Sequence, residues 1–211
     1  LPISSVPPSP GGASAGAAVT AKPAGSATAT VPTNVGPKPS GCPTSAPAAL
    51  AKGETRTVTL ATRKGQIAIQ VKADLSPLAA GNFVALAECG FYSGVIFHRL
   101  VPGFVIQGGD RTGTGTGDPG YKIQDEPVTT PYKRGTVAMA RTSAPNSQGA
   151  QFFIVLSDSN SLAQTNTYAI FGSVTTGMDV VDAIAAMPNT GSPNNAARDP
   201  VAMDTVTVSK P

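Results

Sequence analysis

The chain has 211 residues, with 15 Lys and Arg against 12 Asp and Glu, one His, two Cys and a net charge of +3. Lys22 and Lys38 are the only charged residues before Leu50, so from there on 13 basic residues (15 less two) face 12 acidic ones. The basic residues are scattered, with only Arg63–Lys64 and Lys133–Arg134 adjacent, so neither a nucleic-acid footprint nor an anionic-membrane patch is supported despite a pI near 9.0.

No stretch reaches the ~18 consecutive apolar residues of a membrane span, so no direct membrane insertion is expected, and no signal peptide is recognisable. Residues 1–50 hold half of the twenty prolines and no aromatic or acidic residue. Such a Pro/Ala/Gly/Ser/Thr tract offers too little apolar surface to offset chain entropy and reads as a largely disordered linker. Residues 51–211 then form the single globular domain. A linker of this kind joins a domain to something N-terminal, which makes an extracytoplasmic domain tethered by an upstream anchor the expectation and a cytoplasmic one the alternative. Cys42 in the tail and Cys89 in the domain are open to two readings, a disulfide in an exported protein or two unrelated thiols, because spacing carries no geometry. One histidine and two cysteines fit no metal-ligand pattern, so no metal and no cofactor are expected.

In chain order, "TRTVTLATRKGQIAIQVK" alternates Val58 and Leu60 with polar partners, turns at Arg63-Lys64-Gly65, and alternates again through Ile67, Ile69 and Val71. The pattern predicts a hairpin. "SPLAAGNFVALAECG" offers Ser76 as N-cap, Pro77 at the first helical position and Gly90 at the far end, with Leu78, Phe83 and Leu86 for the buried face. From Val95 to Gly172, short strands alternate with Gly- and Pro-rich turns. "TGMDVVDAIAAM" repeats apolar residues at Met178, Val181, Ile184 and Met187 as a second helix, and "VAMDTVTVSK" returns to a strand that joins the one at Val58. The expected fold is mainly β, a closed antiparallel barrel with two capping helices.

Inside that β region lies "FHRLVPGFVIQGGD", which places the one histidine beside an arginine in an apolar strand. Strict alternation puts Phe97 and Arg99 on one face and His98 on the other. The loop "RTGTGTGDPGY" lacks a P-loop lysine, no G-x-S-x-G elbow accompanies His98, and Asp125–Glu126 reads as a solvated loop.

The stretch resembles the signature of the cyclophilins, the cyclosporin-binding family of peptidyl-prolyl cis–trans isomerases. The resemblance extends through the glycine loop, "VAMARTSAPNSQGAQFFI", "LAQTNTYAIFGSV" and "MDVVDAI", in family order. It implies an eight-stranded antiparallel barrel with a helix at each end. It also implies a monomer that accelerates rotation about Xaa–Pro bonds of polypeptides and assists their folding. The alternatives are a proline-binding docking or chaperone module with incidental isomerase activity, and a structural part of an envelope protein. Carried over by position, the catalytic arginine falls on Arg99 and the glutamine that orients it on Gln107. The proline pocket falls on Phe104, Val105, Phe153, Leu162 and Tyr168. Gly113 and Gln151 line the adjoining groove, Arg141 meets substrate through its backbone, and His98 has a supporting role. Tyr168 stands where many eukaryotic members have histidine, and Ser161 where many have the tryptophan that grips cyclosporin, so that drug is expected to bind weakly.

These residue types suit the reaction. Twisting an Xaa–Pro bond removes amide resonance at a cost of ~18–20 kcal/mol, and the prolyl nitrogen regains a lone pair as it twists. A permanently charged guanidinium that donates to that lone pair favours the twisted state over either planar one, while apolar walls hold the ring.

Overall fold

Alternating apolar residues set the first hairpin. In the computed structural model, which describes residues 34–158, 161–165 and 167–210, β1 (Thr55–Thr62) and β2 (Gly65–Lys72) pair antiparallel with Val58 opposite Ile69 and Leu60 opposite Ile67. All four side chains are fully buried. The other strands are β3 (Phe97–Val101), β4 (Val105–Gly108), β5 (Thr136–Met139), β6 (Phe152–Val155), β7 (Ile170–Thr176) and β8 (Thr205–Ser209). They form one eight-stranded antiparallel sheet in the order β3-β4-β6-β5-β7-β2-β1-β8. The expected pairing of the C-terminal strand with the first is present, with Val58 opposite Val208.

The barrel is curled rather than fully closed. β3 and β8 are the two terminal strands, and the segments just before them meet through one bridge, Ile96 to Ala202, and the backbone bonds Gly94 N–H to Met203 O and Met203 N–H to Val95 O. Inside the curl, Phe83, Tyr92, Phe97, Phe152 and Phe171 form the aromatic part of the core, with Phe83 at 4.7–5.2 Å from three of the others.

Helix α1 (Pro77–Glu88) starts at Pro77 as expected, but Ser76 does not cap it. The Ser76 hydroxyl is buried without a partner among the described residues, while the carboxylate of Glu126 accepts from the Leu78 and Ala79 N–H groups at 2.8 Å each. These are the donors that a capping side chain normally takes. Asp125 is equally engaged: it pairs with Arg141 at 3.3 Å and accepts from Gln148 and Asn146. The Asp125–Glu126 pair is therefore structural, not a solvated loop. A single turn, α2 (Leu162–Thr165), and the helix α3 (Met178–Ala185) complete the set. Val181 and Ile184 of α3 are fully buried, and Met178 and Met187 pack beside them.

The linker expectation for residues 1–33 falls outside the described residues. From 34 to 50 the structure departs from it. Cys42 is bonded to Cys89 at the C-terminal end of α1, the Leu50 N–H donates to Pro77 O, and the Ala48 carbonyl lies against Gly81, where a Cβ would collide with it. The strap thus meets α1 at Pro77, Gly81 and Cys89, and of the helix's apolar residues Ala79, Ala80, Phe83, Val84 and Leu86 are buried while Leu78 is only half-buried. Low aromatic content argues against an independent core, but it does not prevent a segment from docking on a core built by the rest of the chain.

Candidate active site

The strands that carry the site alternate between two apolar clusters. Ile106, Phe152, Ile154 and Val137 point into the barrel; their neighbours Val105, Phe153, Val155 and Ala138 point outward and form a second cluster with Leu162, Ile170 and Tyr132. An outward-facing apolar patch of this kind marks a binding surface when polar groups rim it.

Arg99 reaches this outer face through a β-bulge. Phe97 lies opposite Gly108 and Arg99 opposite Gln107, which leaves His98 as the extra residue. Simple alternation therefore fails here: Phe97 and Leu100 face the core, while Arg99 faces outward with Gln107. A bulge re-aims side chains in this way. His98 is buried beneath the glycine loop, 3.6 Å from the place where a Cβ on Gly115 would stand, and among the described residues neither of its ring nitrogens has a hydrogen-bond partner. Burial lowers its pKa, Asp110 opposes that shift, and Arg99 adds to it. It does not line the outer hollow and underlies the loop instead.

That hollow, about 230 Å³, is lined by Arg99, Phe104, Val105, Gln107, Ala140, Arg141, Phe153, Leu162 and Tyr168. It is smaller than the ~300–1,000 Å³ of typical ligand pockets and fits a single ring. Phe153 and Tyr168 meet edge to face at 5.4 Å and 85°. The Tyr132 hydroxyl fixes Tyr168 by donating to its carbonyl at 2.9 Å and accepting from its N–H at 3.1 Å. The polar wall is a relay. Arg99 Nη1 donates to Gln107 Oε1 at 3.5 Å, Gln107 Nε2 to Gln151 Oε1 at 2.9 Å, and Gln151 Nε2 to the carbonyls of Gly115 and Gly117 at 2.9 and 3.0 Å. The Arg99 guanidinium is thus tied to Gln107 at the edge of the hollow that Arg99 lines.

A second hollow of about 260 Å³ adjoins the first across Gln107, Ala140 and Arg141, with Gln151, Thr116, Gly117, Asp118, Lys122 and Ser147 on its other walls. Gly113, expected in the groove, lines neither hollow; its N–H donates to Asp110 O at the base of the loop, and Gly115 and Gly117 take the groove position. The loop is wound around Asp110, whose carboxylate accepts from Thr112, Gly115 and Gly117. Burial pushes the Asp110 carboxyl up, but these bonds outweigh it and hold it below the usual carboxylate range. Gly109, at φ +91°, makes this winding possible, because a Cβ there would strike the Ala150 carbonyl. The Arg141 side chain pairs with Asp125 and donates to the Ala144 carbonyl, and Arg141 lines both hollows.

Of the site residues expected from sequence, Arg99, Phe104, Val105, Gln107, Arg141, Phe153, Leu162 and Tyr168 surround one hollow and Gln151 the next, while His98 and Gly113 support the loop. Ala140 and the rim pair Asp118–Lys122, joined at 3.0 Å, were missed. Their only sequence signal is their place beside the glycine loop and the "ARTSAPN" turn.

Residues 57–208 match the family model described as cyclophilin type peptidyl-prolyl cis-trans isomerase/CLD. A peptidyl-prolyl cis-trans isomerase of Acinetobacter baylyi is 39% identical over 168 residues, covering 72% of this chain and 84% of that protein. Peptidyl-prolyl cis-trans isomerase A of Mycobacterium tuberculosis is 38% identical over 174 residues, covering 74% of this chain and 93% of its own length. A cyclophilin-type isomerase from Cryptosporidium parvum superposes with a TM-score of 0.67 at 32% identity, over 74% of this chain and 99% of that one. A second structure of that protein, in the presence of the dipeptide Ala-Pro, gives 0.66 at 33% identity over the same shares.

Proposed function

The chain belongs to the cyclophilin-type peptidyl-prolyl cis–trans isomerase family, and on that premise we propose that the hollow beside Arg99 is where it turns an Xaa–Pro bond. The observation that carries this reading is the union of an apolar, ring-sized hollow with a guanidinium tethered by Gln107 at its edge. Phe104, Val105, Phe153, Leu162 and Tyr168 hold the pyrrolidine ring, so rotation falls on the residue before it. Arg99 donates to the prolyl nitrogen as the bond twists, when that nitrogen recovers its lone pair; the interaction is made in the twisted state and not in the planar ones. No bond breaks and no proton needs to move. A bare docking module requires the walls but not the relay that aims the guanidinium, and the relay is complete.

Arg99→Ala tests this. An NMR-exchange or protease-coupled assay on an Xaa–Pro peptide should show kcat/KM reduced about 100-fold or more, since a charge-assisted bond specific to the transition state is worth ~2.7–4 kcal/mol. The fold should persist. Wild-type turnover in the variant would remove Arg99 from the reaction.

The substrates are exposed Xaa–Pro bonds of flexible polypeptides, and the domain acts on them as a monomer, as the family resemblance implies. The Cys42–Cys89 disulfide supports work in an oxidising, extracytoplasmic compartment. Cyclosporin binds weakly, because Ser161, exposed at the start of α2, offers neither the area nor the donor of an indole. Ser161→Trp should tighten cyclosporin about 10-fold or more at unchanged turnover, and nanomolar inhibition of the unmodified protein would overturn this point.

A further inference from the structure

The relay that ends on Arg99 begins on the loop carbonyls of Gly115 and Gly117, so the guanidinium is only as well placed as that loop. The loop in turn is held from behind by the N-terminal strap. Val35 N–H donates to Arg111 O, and the Arg111 guanidinium returns bonds to the carbonyls of Val35 at 2.9 Å and Gly36 at 3.2 Å. Three residues on, Lys38 Nζ donates to Pro119 O at 2.8 Å and to Pro43 O at 2.6 Å, and lies 6.0 Å from the Tyr121 ring centroid.

Pro119 is wedged between that ammonium group and Gly149, where even a Cβ would come within 3.0 Å of the proline ring. Tyr121 donates to Asn82 Oδ1 at 2.8 Å, and Asn82 donates to Gly149 O at 2.6 Å. Gly149, Gln151 and Gly117 all line the second hollow. Beyond Lys38 the strap is fixed again by Cys42–Cys89, so Lys38 is anchored on both sides.

We infer that Lys38 is a positioning residue for the isomerase reaction: strapped down by the disulfide, it clamps Pro119 and thereby sets the Gly115–Gly117 carbonyls, Gln151, Gln107 and Arg99 in register. The inference rests on the reading of Arg99 given above. Lys38 touches no substrate. It acts through the loop, and a loop displaced by a fraction of an ångström loosens the guanidinium without removing it.

The test uses the full chain, with Lys38→Met, Lys38→Arg and the double variant Cys42→Ser/Cys89→Ser. Exchange NMR on an Xaa–Pro peptide separates kcat from KM, and the side-chain amide resonances of Gln107 and Gln151 report the relay independently of turnover. Lys38→Met should lower kcat roughly tenfold, below the ~100-fold that a 1 Å misplacement of reacting groups can cause. KM should stay near its wild-type value, and both glutamine resonances should shift. Lys38→Arg, which keeps the donors, should restore most of the rate; the cysteine pair variant should change rate and resonances in the same direction as Lys38→Met. Arg63→Met, which removes the exposed pair with Asp199, should leave both readouts unchanged.

Wild-type kcat and unmoved glutamine resonances in Lys38→Met would overturn the inference. So would a loss of rate that tracks loss of fold and that Lys38→Arg does not repair. Should Arg99→Ala retain full turnover, the reading of Arg99 falls, and the Gln107 and Gln151 resonances alone decide whether Lys38 sets the relay.

Discussion

His98 is the chain's only histidine, buried under the glycine loop with neither ring nitrogen hydrogen-bonded among the described residues. Burial favours the neutral imidazole, so its folded-state pKa lies below the ordinary value of 6.5. A group depressed in this way contributes stability that is fully present above its unfolded pKa and is lost as pH falls through that value toward the folded one. Urea unfolding at stepped pH should therefore show stability declining below about pH 6.5, and His98→Gln should abolish the decline between roughly pH 7 and 5, where no other side chain of the protein ordinarily titrates. An unchanged slope in that variant would place the acid sensitivity elsewhere. Asp110 has the same sign lower down: its loop bonds lower its carboxyl's pKa, so it keeps the loop wound until the pH falls below the usual Asp value. The family resemblance indicated Arg99 and Gln107 as a pair, but not how they meet. The bulge at His98 depends on the pairing with β4 and is invisible to an alternation count.

Helix α1 shows where local rules stop. Pro77 begins it as its fixed φ dictates, yet the capping role passes from Ser76, the neighbour in sequence, to Glu126, which lies 48 residues from Leu78. Replacing Glu126 with Ala should cost ~1–2 kcal/mol, the usual worth of a cap or of a charge-assisted bond, and lower Tm by about 2–8 °C. Ser76→Ala should be close to neutral, since its hydroxyl bonds to nothing. The reverse ranking in a melting experiment would restore the serine cap. Gly81 belongs to the same element and has a tertiary reason: it admits the Ala48 carbonyl, so Gly81→Ala should push the strap off α1 and lower Tm without altering helix propensity for the worse.

For the molecule as a whole, the strap makes the N-terminal stretch from residue 34 part of the folded unit. Cys42 and Cys89 are 47 residues apart, and closing a loop of that size is worth roughly 2–4 kcal/mol. Cys42→Ser/Cys89→Ser should therefore lower Tm by about 5–15 °C, as should deletion of residues 1–50; an unchanged Tm in both would mean that the strap contributes nothing to the fold. Periodicity and turn residues along the chain were enough to indicate the first hairpin, α1, α3 and the pairing of the last strand with the first, and the family resemblance indicated the residues around the ring-sized hollow other than Ala140. The elements follow from side-chain periodicity and turn residues, and the hollow follows only from motifs matched to the family. The bulge that turns Arg99 outward, the Glu126 cap, the relay through Gln151 to the glycine loop and the docking of residues 34–50 came to light in three dimensions alone. The physical reason is common to all four: each depends on groups far apart in sequence meeting at hydrogen-bond or van der Waals distance, and composition and periodicity record the direction of a side chain but not its distant neighbour.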